Sequence, residues 1–116
     1  MIANEKFRIC PDTGFKVFDT TEKLIKINAV VAVVFLAVGG LFGLLVALTR
    51  WPAVHLLPAD LFYLVLTAHG ADVLLFWIIF FEVAVLYFAG SVLLNVRLAA
   101  PRFAWAAFGL MLVGAV

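Results

Sequence analysis

Three apolar runs, separated by short polar connections, organise the chain. The first covers residues 27–49. At about 1.5 Å per residue it reaches roughly 34 Å as a helix, enough to cross a hydrocarbon core of roughly 30 Å. The second run, Leu61 to Leu94, would reach roughly 50 Å as one helix, so it predicts a span that tilts or emerges from the bilayer at one end. The third, Phe103 to Val116, reaches roughly 21 Å, and the sequence stops within it. A helix ending in hydrocarbon leaves its last carbonyls without partners. The pattern therefore predicts an all-α membrane protein, with two complete transmembrane helices plus the start of a third, from a larger helical bundle.

The polar positions mark where these helices begin. Asp19-Thr20-Thr21-Glu22 has the spacing of a capping box, which predicts a first helix starting near Thr20, in water. Asp60, just after Pro58, is the expected cap of the second helix, and Pro101 marks the start of the third. The connection from Trp51 to Ala59 reads as an outer loop with Trp51 at the interface. Lys6, Arg8, Lys16, Lys23 and Lys26 precede the first span, Arg97 and Arg102 lie between the second and third, and only Arg50 lies between the first two. That asymmetry predicts a cytoplasmic N-terminus.

Composition strengthens the membrane reading. Hydrophobic residues make up 67% of the chain and charged residues 13%, against roughly half and a quarter in globular domains. The net charge of +1 gives no basic face, so nucleic acid is not an expected partner. The first span follows a mixed polar stretch and lacks the short apolar core and small-residue cleavage site of a secretory signal. The single cysteine, Cys10, excludes an internal disulfide framework.

The residue that most needs an explanation is His69, in the apolar run Leu66-Thr67-Ala68-His69-Gly70. An imidazole in hydrocarbon is costly unless its nitrogens find partners, and a metal, above all a haem iron, suits a neutral histidine there. At 100° per residue, Val73, Phe76 and Phe80 fall within about 40° of it, an apolar wall that a flat macrocycle could lie against. Gly70 could make room for a ring edge. Against this stands a structural reading in which His69 bonds to a carbonyl, a Thr or an Asn of a neighbouring helix, and the aromatic stripe is plain packing. Gly39 and Gly43, with Gly40, predict a close helix-packing face or a bare surface for a cofactor edge. His55 reads as an ordinary loop residue. Asp72 and Glu82 are candidates for proton transfer or for structural hydrogen bonding within the bundle.

The stretch Phe62-Tyr63-Leu64-Val65-Leu66-Thr67-Ala68-His69-Gly70, after a Gly-rich first span ending at Arg50, resembles the beginning of subunit I of the haem-copper oxidases, over residues 24 to 116. Its specific part is Thr67-Ala68-His69-Gly70. In that family the histidine early in the second helix is an axial ligand of the low-spin haem, and the resemblance implies that role for His69 alone. Asp72 and Glu82 replace apolar residues of the common long-branch oxidases, and a Gly-Gly-Phe-Gly-Asn-Trp signature is missing, which makes the chain more similar to the B-type oxidases or the oxidase-like nitric oxide reductases.

The resemblance implies a cytochrome c oxidase-type oxidoreductase of a bacterial or archaeal cytoplasmic membrane. Residues 1–19 would be a cytoplasmic tail and residues 20–116 the N-terminal transmembrane part of the subunit I-like domain. It also implies a cytochrome c or cupredoxin as electron donor, the remaining oxidase helices and subunits as partners, and a haem-copper oxygen-reducing centre built from residues outside this chain. A nitric oxide reductase subunit, a homodimeric b-type electron carrier sharing one haem between two copies of His69, and an accessory subunit without enzymatic activity are the alternatives.

Overall fold

A computed structural model describes residues 6–116. Two short strands, β1 (Phe7–Ile9) and β2 (Lys16–Phe18), precede three helices: α1 (Asp19–Arg50), α2 (Ala59–Leu93) and α3 (Pro101–Ala115). The first two helices are long and apolar enough to cross a membrane, and α3 is a shorter apolar helix. Large apolar side chains such as Val33, Leu41, Leu64, Leu74 and Leu86 are each more than half exposed. Water would penalise such a surface heavily, whereas lipid acyl chains accept it. The chain is an all-α membrane protein with a small hairpin at its polar end.

The chain divides into two compact units, one of Val30–Phe80 and one of the residues up to Ala29 together with Phe81–Val116. In the first, α1 packs on the front half of α2. Phe35 lies 5.4 Å from Phe76 and 5.6 Å from Phe80, nearly parallel to the latter at 14°. Phe80 and Ala32 are each 1% exposed. At the far end Arg50 lies over the Phe62 ring at 5.6 Å, and the turn that follows places His55 in the left-handed region with φ 41°.

In the second unit, the N-terminal tail carries a small hairpin. β1 and β2 pair antiparallel, with Phe7 opposite Phe18 and Ile9 opposite Lys16. Gly14, at φ 70°, closes the turn and donates its N–H to the Cys10 carbonyl at 2.8 Å; that backbone conformation is easy only without a Cβ. Met1–Glu5 of the tail lie outside the described residues. The capping-box expectation is corrected here. Asp19 is already the first helical residue, and Arg8 donates to both carboxylate oxygens of Glu22 at 3.0 and 3.1 Å while Lys26 reaches one at 2.6 Å. Glu22 therefore holds the hairpin to the helix.

The same unit contains several buried polar contacts. The Ser91 hydroxyl lies 3.2 Å from the Thr21 hydroxyl and 2.8 Å from the Val96 carbonyl. Asn28 is fully buried and donates to the Leu24 carbonyl at 2.8 Å, but its Oδ1 has no hydrogen-bond partner among the described residues.

Helix α2 is not uniformly α-helical. It loosens into π turns at Asp72–Phe76 and Phe88–Leu93. In the first, the Trp77 N–H reaches back five residues to the Asp72 carbonyl, while the Trp77 indole N–H donates to the Val73 carbonyl at 2.6 Å. The helix closes with Asn95 in the left-handed region at φ 53°. The Val96 N–H bonds the Ser91 carbonyl and the Asn95 N–H bonds that of Val92, the paired pattern that satisfies a helix's last acceptors. At its start, Asp60 is not the cap: Pro58 holds that position with no side-chain bond, and Asp60 lies in the first turn, where its charge suits the helix dipole. Pro101 opens α3 as expected.

Candidate functional site

His69 is placed by two glycines of the facing helix. Its Nδ1 lies 2.7 Å from the Gly39 carbonyl oxygen. A carbonyl can only accept, so Nδ1 carries the proton, and in the neutral ring Nε2 keeps its lone pair. The ring itself rests on Gly43, where a Cβ would come within 2.8 Å of Cε1 and 3.1 Å of Nδ1. One helical turn away, a Cβ on Gly39 would come within 2.9 Å of the Asp72 Cβ and 3.0 Å of Val73 Cγ2. Gly39 and Gly43 thus form the close-packing face that their spacing predicts, and His69 and Asp72 occupy it. At Gly43 the bare backbone faces the imidazole of His69. Gly40, on the other hand, faces open space.

The aromatic wall below His69 also has an occupant. Phe76 and Phe80 pack on Phe35, so this stripe is helix packing and not a free surface for a macrocycle. Gly70 has open space beside it. The Thr67 hydroxyl donates to the Tyr63 carbonyl at 2.9 Å within its own helix, and so does not serve the histidine. Asp72 is buried at 7% exposure. Glu82 sits on an exposed face among Phe81, Val85 and Leu86. Among the described residues, no group of three or more His, Cys, Asp or Glu could hold a metal ion.

Periodicity alone could not reveal the partner of His69, because a backbone carbonyl on another helix carries no sequence signal. Glycine spacing was the available hint. The π turn starting at Asp72 had no sequence signal either, although such bulges recur at functional sites.

Comparison with protein families matches residues 23–116 to the family described as Cytochrome C and Quinol oxidase polypeptide I. The chain belongs to this family. The match covers both long apolar helices from Lys23 onward and the whole of α3. No curated protein and no solved structure matches the chain.

Membership places this oxidase-family chain in an oxidoreductase complex of the membrane, alongside other oxidase subunits. Its residues fit a haem iron on one count that the geometry supplies: a single imidazole whose Nδ1 is engaged by a carbonyl of the neighbouring helix. Histidines that ligate metals commonly donate their other ring N–H to a carbonyl or carboxylate, which fixes tautomer and ring orientation.

Proposed function

We propose that this chain is the N-terminal part of the haem-bearing subunit of a respiratory terminal oxidase, and that His69 supplies one axial ligand to its low-spin haem. The supporting observation is the family match over residues 23–116. The 2.7 Å contact between His69 Nδ1 and the Gly39 carbonyl is the bond a purely structural histidine also makes, and it is compatible with ligation because it leaves Nε2 available. That contact leaves Nε2 as the ring's lone-pair donor; donating the Nδ1 proton raises the basicity of Nε2 as a ligand, and the bond holds the ring's orientation. Bound there, a haem iron would act as a one-electron carrier toward a haem-copper oxygen-reducing centre. Gly43 gives the ring its seat, and Phe35 with Phe76 and Phe80 fixes the spacing of the two helices that hold it. The opposite axial ligand and the copper ligands are assigned to residues outside this chain. A cytochrome c or cupredoxin is the proposed electron donor. The basic residues before the first span put the N-terminus on the cytoplasmic side of the membrane.

The test is the absorption and electron paramagnetic resonance spectrum of the membrane-purified oxidase assembly. His69→Ala removes the low-spin haem signal. An unchanged signal and haem content in that variant would overturn the assignment and leave His69 as a packing residue.

A further inference from the structure

The hairpin, the start of α1 and the end of α2 enclose a groove of about 340 Å³ that the haem reading does not use. Phe15, Ile25, Phe88 and Val92 line its walls, and Arg8 and Lys26 stand at its charged side with Glu22. Phe88 and Val92 belong to the second π turn of α2. Its volume is at the lower end of what small-molecule sites enclose. The groove lies where α1 changes character, because the charged turns Asp19–Lys26 give way to the uncharged run from Ile27. In a membrane-spanning helix such a change from charged to apolar turns marks the boundary between headgroups and acyl chains. Glu22 neutralises only one of its two cationic partners, so the cluster keeps one positive charge unmatched.

We propose that this groove binds an anionic phospholipid, with an acyl chain between Phe15, Ile25, Phe88 and Val92 and the phosphate against Arg8 and Lys26. Apolar walls opening beside clustered cations at a membrane edge are the arrangement that recognises such headgroups. The cations select for charge, and the walls hold the lipid against exchange. A free phosphate would use only the first of these, and a covering protein helix would need neither the cations nor the opening.

The test uses the full chain in phosphatidylcholine bilayers carrying trace phosphatidylglycerol or phosphatidylcholine, each spin-labelled on the acyl chain. The immobilised spectral component favours phosphatidylglycerol. Lys26→Gln lowers that preference about fivefold, the worth of one cation near a charged surface. Ile25→Trp, which fills the groove and leaves the charges in place, abolishes it. Lys16→Gln, on the other face of the hairpin, leaves it unchanged. Excess inorganic phosphate also leaves it unchanged. Equal immobilisation of the two lipids, a preference that survives Ile25→Trp, or its collapse on adding phosphate would each overturn the proposal.

Discussion

His69 and Gly43 touch across the two long helices so closely that a single added methyl group at position 43 would stand 2.8 Å from the imidazole Cε1. The contact makes glycine at this position a requirement for the ring's orientation. It yields a prediction that separates a positioned ring from a merely buried one. Gly43→Ala tilts the ring and weakens its bond to Gly39, and overpacking of this kind costs about 1–3 kcal/mol. On the proposed assignment of His69 as a haem ligand, the variant would shift the g-values and reduction potential of that haem in the oxidase assembly. Gly40→Ala, which meets nothing within 4 Å, changes neither. Identical spectra for the two variants would show that the ring's seat is irrelevant.

The Phe35–Phe80 stack, 5.6 Å apart at 14°, should carry measurable coupling. In lipid there is little hydrophobic force between helices, so packing itself holds them together. A double-mutant cycle with Phe35→Leu and Phe80→Leu, read by unfolding of the reconstituted chain, should return about 0.5–1.5 kcal/mol of interaction. A coupling near zero would mean that lipid replaces the stack without loss.

Two buried polar residues should respond with opposite signs. Ser91→Ala removes the contacts to Thr21 and to the Val96 carbonyl and should destabilise the chain by about 0.5–1.5 kcal/mol. Asn28→Leu removes a fully buried acceptor that has no hydrogen-bond partner among the described residues, and should be neutral or stabilising, because an unsatisfied polar atom costs more than an apolar one of similar size. The same unfolding measurement checks both, and destabilisation by Asn28→Leu would reveal a role for its Oδ1.

Cys10 gives a pH-dependent readout in the hairpin. A hydrogen bond from the Thr13 side chain, followed by backbone N–H groups of Thr13 and Asp12, favours the thiolate and holds the Cys10 thiol below its ordinary range. Lowering a thiol's pKa populates the nucleophilic form at lower pH. Alkylation by iodoacetamide should therefore reach half its maximal rate at a lower pH than a free thiol does, and Thr13→Val should move that midpoint upward. An unmoved midpoint would show that Thr13 does not control the thiol.

The sequence by itself determined the membrane class, the two spans and the residue worth explaining. Run length and the cost of charge in hydrocarbon depend only on local composition, so residues 27–49, Pro101 and His69 were legible without coordinates. The Gly39 and Gly43 spacing likewise announced a close helix approach.

Only the tertiary structure decided what each of these features meets. The Gly39 carbonyl as partner of His69, Phe35 filling the aromatic wall, and Glu22 tied to Arg8 across the hairpin all depend on atoms brought together from distant positions, while the two π turns are local departures of α2 from regular helical bonding. A backbone carbonyl is present at every residue and a π turn needs no particular side chain, so neither leaves a mark on the pattern. Glu22 shows the same limit for charge. Its spacing from Asp19 fits a cap, yet a guanidinium fourteen residues back, brought within reach by the hairpin, offers two charge-assisted bonds to its carboxylate.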